Sequence, residues 1–485
     1  MRSRVRRQCY YDARVNDVNL RDITSSGQNA NILRALRDGD PHGSRGKSGI
    51  FVFAEEYEGD RFEGGEEFIV REGDDLGWLG YFIGASKCLE ALSIRDLPVE
   101  RERIDALMGG IARNKSIQEV GFLTDIGESG LLLDDFFRSN KNLSMIGFAN
   151  SNFGHQHAHD NITFKLGQIQ RNSMKIFSFC DNIISDEGFS EICGALETQQ
   201  SHLENLSLRD INIGRNRCVM VGNMLSSWHA PKLEELHLDN NAIDDTGLQS
   251  LVTGMMNCSD LRMLRLSGNS LITAAGLSSL SPLFDSLEEL WLEEMYIGDC
   301  GAAALADSLM GNKALKRLFL DHDTADITAI GWEAFSKLVC DASSFNSTYL
   351  SNHTLLHVGD SDFLTPDGLH QRTSGNILRN KQDVAIWKIM RFQPIHNMSE
   401  FFFQWKLKFL PLVVTWFKRA RHVLAEMDAL AGLNLPACLE NLDNMKLSAV
   451  YKFVRGMPLL IIDGYNSRRT STRLARKRRL DGETK

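Results

Sequence analysis

The chain of 485 residues is 43% hydrophobic and 24% charged, which is ordinary for a folded protein and argues against one that is disordered throughout. The formal net charge of −9 is unevenly distributed, because residues 350–485 hold 21 Lys and Arg against 12 Asp and Glu and the remainder is acidic. This asymmetry indicates two surfaces with different partners.

The cysteines and the N-terminus indicate the compartment. Nine cysteines occur without a C-x-x-C pair or a regular spacing, which is typical of free thiols in a reducing compartment. A structural zinc ion would need clustered ligands, so we predict no cofactor and no metal ion. Residues 1–15 are basic but lack the apolar segment of a secretory signal. We therefore expect the protein in the cytoplasm or in the nucleus.

The first segment, residues 1–55, is polar and contains scattered Gly, Ser and Asp. This composition predicts a disordered or loosely attached segment. The acidic residues that follow, up to Asp75, are interpreted as a solvated face or loop.

A repeat begins at Leu89. The pattern L-x-x-L-x-L returns every 26 to 31 residues, and the first, fourth and sixth positions are apolar in each copy. Apolar residues at positions four and six predict a short strand with one face turned inward. The ten copies start at Leu89, Ile117, Leu143, Met174, Leu203, Leu233, Leu261, Leu287, Leu315 and Phe345. An apolar eleventh position follows in most copies, at Ile184, Ile213, Ile243, Leu271 and Ile297.

The second half of each copy has helical spacing, as in Leu248, Leu251 and Met255. Each predicted helix starts near an Asp that stands two residues before a Gly. An Asp carboxylate can accept hydrogen bonds from the free N–H groups at a helix start, so we predict that these residues are N-caps. These residues are Asp186, Asp245 and Asp299. An Asn precedes several strands by three residues, and we predict left-handed helix C-caps at these positions. They are Asn114, Asn140 and Asn312.

A strand and a helix in about 28 residues, with the core L-x-x-L-x-L-x-x-N-x-I, resemble the ribonuclease-inhibitor-like class of leucine-rich repeats. The resemblance implies an α/β solenoid over residues 56–355, a horseshoe with parallel strands inside and helices outside. The asparagine of the motif is present at Asn182, Asn241 and Asn269. Its absence at Ile211, Met295 and Asp323 predicts a broken asparagine ladder.

Beyond residue 355 the period stops, and we predict a helical C-terminal cap over residues 356–466, because the end of a solenoid needs a cover. The predicted helices are Leu378–Phe392, Phe401–Leu424 and Leu447–Val454. The apolar stretch Phe401–Phe417 is shorter than the ~20 residues of a membrane span and contains two lysines, so we predict no membrane contact. Residues 467–485 are predicted to be a basic, disordered tail.

The concave face of the solenoid is the predicted binding site. Positions five, seven and eight face solvent there, on strands about 4.8 Å apart, so equivalent residues form rows. The predicted partner-binding residues are His237, Arg265, Trp291 and Phe319 at position five, Asp239, Glu293 and Asp321 at position seven, and Glu294 and His322 at position eight. Trp and Arg often dominate binding energy, and the carboxylates favour a basic protein partner.

Two other clusters are weaker candidates. Alternating histidines at His155, His157 and His159, followed by Asp160, resemble a metal site, but they lie in a predicted polar loop without further ligands. The run Arg468–Arg479 is typical of a nuclear-localisation or nucleic-acid patch, or of a solubilising tail. Neither displaces the concave face as the predicted site.

The sequence therefore predicts a non-enzymatic protein-binding scaffold. No P-loop, nucleotide-binding glycine motif, nucleophile elbow or zinc-protease motif is present, and no catalytic residue is assigned. The alternatives are a regulator of a small GTPase, by analogy with related solenoids, and a nuclear nucleic-acid-associated protein acting through the basic tail. The pattern does not predict an oligomeric state.

Overall fold

The computed structural model describes residues 9–24, 26–38, 49–53, 66–95, 97, 100–124, 136–137, 140, 142–150, 152–153, 174–197, 202–229, 231–321, 326–360, 369–378, 380–392 and 410–431. The chain divides into two compact units. The first comprises residues 1–297 and 319–325, and the second comprises residues 298–318 and 326–485.

The first unit opens with two helices and two strands: α1 (Leu20–Ile23), α2 (Gly27–Asp38), β1 (Gly49–Phe53) and β2 (Glu66–Ile69). This differs from the disordered segment predicted for residues 1–55. Helix α2 buries Ile32, Leu33 and Leu36 on one face, and every residue of β1 is buried. Strand β1 pairs in parallel with β2 on one side and with the first repeat strand on the other. The helix and the strand therefore bury apolar residues, although the segment as a whole is polar in composition.

The repeat strands follow: β3 (Ala91–Arg95), β4 (Glu119–Leu123), β5 (Met145–Ala149), β6 (Asn152–Phe153), β7 (Ile176–Cys180), β8 (Ile183–Ile184), β9 (Asn205–Ser207), β10 (Glu235–His237), β11 (Met263–Arg265) and β12 (Glu289–Trp291). Strands β6 and β8 form a separate pair. The main sheet of this unit runs β12-β11-β10-β9-β7-β5-β4-β3-β1-β2. The pairs along it are parallel.

The register confirms the predicted repeat and its α/β architecture. Position four of each copy lies opposite position four of the next, in the order Leu92, Val120, Ile146, Phe177, Leu206, Leu236, Leu264 and Leu290. All eight side chains are fully buried. A fully buried side chain of this size contributes about 1.5–3 kcal/mol, so this column is a continuous source of stability.

After α1 and α2, the described helices of the first unit include α3 (Leu76–Ala85), α4 (Arg101–Ile111), α5 (Asp186–Glu197), α6 (Arg215–Ser227), α7 (Asp245–Met255) and α8 (Ala274–Ser278), with a 3₁₀ turn at Ser281–Leu283. Glycines allow neighbouring helices to approach closely. A Cβ atom on Gly254 of α7 would lie 2.3 Å from the carbonyl oxygen of Gly222 on α6. Gly110 on α4 faces Gly80 on α3 in the same way.

Gly109 and Gly110 give a matched test of this packing. A Cβ atom on Gly110 would lie 2.2 Å from the carbonyl carbon of Gly80, whereas one on Gly109 would meet no heavy atom within 4 Å. We expect Gly110→Ala to lower the free energy of unfolding by about 1–3 kcal/mol, because two helix backbones must separate. Gly109→Ala should raise it by up to about 1 kcal/mol, since alanine has the higher helix propensity. Guanidinium chloride unfolding measures both, and equal effects would contradict the packing argument.

The recurrent Asp residues join one repeat to the next, and the predicted N-caps at these positions are wrong. Helix α7 is capped by Asp244, whose Oδ1 accepts a hydrogen bond from the Gly247 amide at 2.7 Å. Asp245 lies in the first turn, and its carboxylate accepts bonds from the amide and hydroxyl of Thr273, at 2.7 and 2.6 Å. Thr273 is itself the N-cap of the next helix. The carboxylate thus stabilises a neighbouring helix start rather than its own.

The other two predicted caps also bond to the following repeat, Asp299 at a helix N-cap and Asp186 at an arginine within the helix. Asp299 accepts bonds from the amide and hydroxyl of Thr328, at 2.8 and 2.7 Å, and Asp186 accepts one from Arg217 Nε at 2.7 Å. The hydrogen bond from Thr328 is the main cause that holds the pKa of Asp299 below its usual value.

The asparagines before the strands are not left-handed C-caps, because none of the three has a positive φ. Instead the side chains of Asn114 and Asn140 bridge adjacent repeats. Asn114 Nδ2 donates to the Ile83 carbonyl at the end of α3, at 2.7 Å, while its Oδ1 accepts from the Ile117 amide at 2.9 Å. Asn140 Nδ2 donates in turn to the Asn114 carbonyl at 2.8 Å. They satisfy backbone groups that the turn leaves free.

The asparagines at position nine make an equivalent ladder after the strands. Asn241 donates to the Leu208 carbonyl of the preceding repeat at 2.8 Å and accepts from the Ile213 amide at 2.9 Å. Asn269 repeats the bond to the Leu238 carbonyl at 3.0 Å. These contacts agree with the role that the repeat motif implies.

Two positions in the predicted alignment are wrong. Leu271 is exposed, and Ile272 is the buried residue, so this repeat carries one extra residue in its turn. Phe345 does not start a strand but begins a helix, and the last strand lies at His357–Gly359, with Leu355 in the first position. An inserted helix therefore lengthens the final repeat.

The second unit contains β14 (His357–Gly359), and strand β13 (Arg317–Phe319) is divided between the two units. Its helices are α9 (Gly298–Ser308), α10 (Ala329–Val339), α11 (Phe345–Leu350), α12 (Leu369–Thr373), α13 (Lys381–Phe392) and α14 (Leu410–Ala431), with a 3₁₀ turn at Ser374–Ile377. Helices α13 and α14 share a buried cluster that includes Trp387, Phe417 and Val423. The predicted helix at Leu447–Val454 and the basic tail lie outside the described residues. No described helix has the length and apolar character needed to cross a membrane.

Lys388 on α13 is completely buried. Its Nζ donates to the carbonyls of Val339, at the end of α10, and of Asn352, and it lies 3.3 Å from Nδ1 of His353. Burial lowers the pKa of Lys388 to about 7 and that of His353 to about 4. The nearby Cys340 and Arg372 also act on the ammonium group, in opposite directions.

Lys388 should make the stability of the protein depend on pH. Above pH 7 the folded chain holds a neutral amine, while the unfolded chain stays protonated up to about pH 10.4. The unfolded state then binds more protons, so the free energy of unfolding rises with pH, by about 2–3 kcal/mol between pH 7 and pH 9. Lys388→Met should remove this rise, whereas Lys337→Met, at an exposed lysine, should keep it. Denaturant unfolding at several pH values measures both, and an unchanged slope in Lys388→Met would refute the assignment.

Candidate functional site

The position-five residues form a row across the strands of the first unit. The register places Ser207 opposite His237, His237 opposite Arg265, and Arg265 opposite Trp291. Phe319 follows, because the Leu292 amide donates to its carbonyl at 2.9 Å. Residues about 28 positions apart in sequence are therefore neighbours on the sheet.

Arg265, Trp291 and Phe319 form one stack, the aromatic stack. The guanidinium carbon of Arg265 lies 4.1 Å from the centroid of the Trp291 ring. The Phe319 ring lies 3.8 Å from the same indole, centroid to centroid, with 25° between the planes. Since Arg265 comes from the preceding strand and Phe319 from the following one, both faces of the indole are covered.

The stack corrects the expectation of an exposed aromatic row. Phe319 is only 4% exposed, so it supports Trp291 from the side and does not present its own face. Trp291 is half-buried, and its Nε1 is a buried atom with no hydrogen-bond partner among the described residues. Arg265 keeps 27% of its side chain exposed. The contact surface of the row is thus Arg265 with the open edge of Trp291.

Asp239 is buried and neutralised by arginines. Its Oδ2 lies 3.2 Å from Nε of Arg265 and 3.6 Å from Nε of Arg209, and its Oδ1 accepts a bond from the Ser267 amide at 3.2 Å. This carboxylate therefore holds the site together and is not free to attract a basic partner. Arg209, absent from the predicted set, belongs to the site; its place at position seven was the signal.

His237 is mostly buried beside Arg265. Its Nε2 lies 3.3 Å from Oε2 of Glu235. This contact is not a hydrogen bond, and Nε2 has no hydrogen-bond partner among the described residues. Burial, and then the positive charge of Arg265, lower the pKa of the imidazole. His237 is therefore neutral at pH 7 and adds no charge to the row.

The acidic residues lie at the β12 and β13 end of the row. Glu293 and Asp321 are half-buried, and Glu294 is exposed. Asp321 Oδ2 accepts a hydrogen bond from the Glu294 amide at 2.6 Å. His322, also predicted to belong to the site, lies outside the described residues.

Position eight is a left-handed turn, not part of the strand. Its residues have φ between 51° and 74° in successive repeats, at Asp181, Asp210, Asn240, Gly268 and Glu294. Asp, Asn and Gly tolerate this conformation, whereas Glu294 does so only under strain. The recurrence of Asp, Asn and Gly at one position was the signal for this turn.

Substitutions in the aromatic stack should separate its structural member from its exposed one. We expect Phe319→Ala to lower the free energy of unfolding by about 3–5 kcal/mol, because it leaves a cavity. Trp291→Ala should cost less, about 1–2 kcal/mol, because part of the indole is already in water. Urea unfolding of the two variants checks the order. A smaller loss in Phe319→Ala than in Trp291→Ala would show that the stack is assigned the wrong way round.

The predicted metal-like cluster, His155, His157, His159 and Asp160, lies outside the described residues. Within the described part of the chain, no group of three His, Cys, Asp or Glu side chains could hold a metal ion. All eight described cysteines are free.

Comparison with known proteins gives partial matches to repeat proteins. No family model matches the chain. It is 33% identical to the ribonuclease inhibitor of Sus scrofa over 156 residues, which are 31% of this chain and 33% of the inhibitor. It is 26% identical to the NACHT, LRR and PYD domains-containing protein 3 of Mus musculus over 191 residues, 39% of this chain and 18% of that protein.

A solved structure of the yeast Rad7 and Elc1 complex is also similar, with 13% identity and a TM-score of 0.40 over 76% of this chain and 91% of that chain. The ribonuclease inhibitor of Mus musculus is 29% identical over 184 residues, 37% of this chain and 39% of the inhibitor. The chain thus spans well under half the length of the two inhibitors and of the NACHT, LRR and PYD protein.

Proposed function

We propose that this chain, which resembles the ribonuclease-inhibitor-like class of leucine-rich repeats, is a non-enzymatic scaffold that binds a protein partner on its concave face. The observation that supports this is the aromatic stack, in which a partly exposed Trp291 is held between Arg265 and Phe319. Tryptophan and arginine are the residues that most often dominate the energy of an interface.

The stack is fixed before any partner arrives. Both faces of the indole are already in contact, and Arg265 is also bound to the buried Asp239 through Nε, at 3.2 Å. Ordering a mobile side chain on binding costs about 0.5–1.5 kcal/mol, and side chains held in this way avoid that cost. A rigid Trp edge beside a partly exposed guanidinium is therefore suited to recognition.

The partner's charge can be proposed only for one end of the row. Asp239 is one of the carboxylates expected to attract a basic partner, but it is buried and already paired with two arginines. Glu293, Glu294 and Asp321 carry the remaining negative charge, so a basic group of the partner would lie over β12 and β13. The described thiols are all free, which favours the cytosol or the nucleus as the compartment.

No contact of the described residues favours either alternative function. The GTPase-regulator hypothesis rests on fold analogy. The nucleic-acid hypothesis rests on the basic tail, residues 467–485, which lies outside the described residues.

The proposal can be tested with Trp291→Ala. Affinity purification from the native cell with the wild-type chain should identify the partner, and its Kd should then be measured by calorimetry. We expect Trp291→Ala to weaken binding by more than about 1 kcal/mol, because a hot-spot indole is lost. Phe319→Ala is unsuitable for this purpose, since it should destabilise the fold.

Tyr296→Ala is the matched control, because Tyr296 is 72% exposed and lies outside the row. It should bind the partner as the wild type does. A partner whose affinity is unchanged in a folded Trp291→Ala variant would refute the concave site.

A further inference from the structure

Arg209 and Arg265, the arginine pair, share one carboxylate. Both direct Nε toward Oδ2 of Asp239, which is 3% exposed. Among the described residues, neither guanidinium forms any other ion pair or hydrogen bond. Arg209 keeps 47% and Arg265 keeps 27% of its side chain exposed.

The local charge around the arginine pair is positive. Two guanidinium groups face one carboxylate, and His237 is neutral, since burial and Arg265 lower its pKa. The nearest acid on the same strand is Glu235, at position three, four residues and about 13 Å along an extended chain from Asp239. Glu235 is itself engaged by Asn205 Nδ2 at 2.5 Å. Among the described residues, Asp239 is thus the one carboxylate that pairs with either guanidinium.

We propose that the arginine pair receives an Asp or Glu carboxylate of the protein segment that the concave face binds. This inference rests on the proposed function and adds the chemistry of one contact. Each guanidinium carries five N–H donors in a planar fork, of which Nε is directed at Asp239, so the outer nitrogens stay available. That fork matches a carboxylate, and such charge-assisted bonds are short and strong.

The two arginines are held for this contact. Arg265 is fixed by Asp239 at Nε and by the Trp291 ring on its face, and Arg209 approaches the same carboxylate from the preceding repeat. Asp239 orients Arg265 through a hydrogen bond and lies 3.6 Å from Arg209, and one carboxylate carries half the charge of two guanidinium groups. A carboxylate of the partner would complete the pairing and neutralise the site.

Selection of peptides from a random linear library on the full-length chain tests the proposal. Peptides selected on the wild type should be enriched in Asp or Glu. Their affinity should fall by about tenfold for Arg209→Gln, the loss expected for one charge-assisted hydrogen bond. Replacing the acidic residue of a selected peptide with its amide should remove the effect of Arg209→Gln, as a double-mutant cycle requires.

Arg215→Gln is the matched control, because it removes the same charge from an exposed arginine that pairs with Asp244 on the helical side. It should bind the peptides as the wild type does. Three results would overturn the arginine-pair proposal. The library could yield no peptide, the selected peptides could lack acidic enrichment, or they could bind Arg209→Gln as tightly as the wild type. If such peptides still lose affinity on Trp291→Ala, the proposed function stands alone. If they respond to neither variant, both proposals fail.

Discussion

The backbone of each repeat depends on the next repeat for its hydrogen bonds. A strand cannot satisfy its own amide and carbonyl groups, and buried groups of this kind must be paired. The ladder therefore continues past each strand into the left-handed turn. There the backbone amides of Asp210, Asn240 and Gly268 donate to the backbone carbonyls of Asp239, Ser267 and Glu293, respectively, at 2.8 to 3.0 Å. Because this pairing fixes the register, it also fixes which side chains become neighbours.

The aromatic stack follows from that register. Adjacent strands lie about 4.8 Å apart, and planar side chains at the same position of neighbouring strands can close the remaining gap by tilting against one another. The guanidinium carbon of Arg265 at 4.1 Å and the ring of Phe319 at 3.8 Å from the Trp291 centroid show that they do so. The candidate site is thus built from residues far apart in sequence.

Much of the fold could be predicted because periodic burial is a property of sequence alone. The spacing of Leu236, Leu264 and Leu290 is enough to place them in one column. Short elements outside the motif are harder to predict. Strand β1 (Gly49–Phe53) has only four hydrophobic residues after its glycine, and the repeat motif is absent from the sequence around it. Its burial comes from the neighbouring strands on both sides.

The site could be predicted only to the level of rows. Position five is correctly placed on one face, because side chains alternate along a strand. The burial of Phe319 and the pairing of Asp239 depend on side-chain packing against other repeats, which a one-dimensional pattern does not encode. For the same reason the pattern predicts Asp245 as the cap of its own helix, although its carboxylate reaches Thr273 of the following repeat.

The charges along the row are segregated, and this bears on how a partner segment would be oriented. The arginine pair lies over β9 to β11, Trp291 ends β12, and Glu293 and Asp321 follow β12 and β13. A segment crossing the strands would meet a positive group, an aromatic edge and then a negative group. Reversing the segment would place like charges together at both ends, which is costly when they are partly desolvated. Under the proposed function, charge order would select the direction of the segment and the indole would supply affinity in either direction, so specificity and strength would come from different residues of one surface.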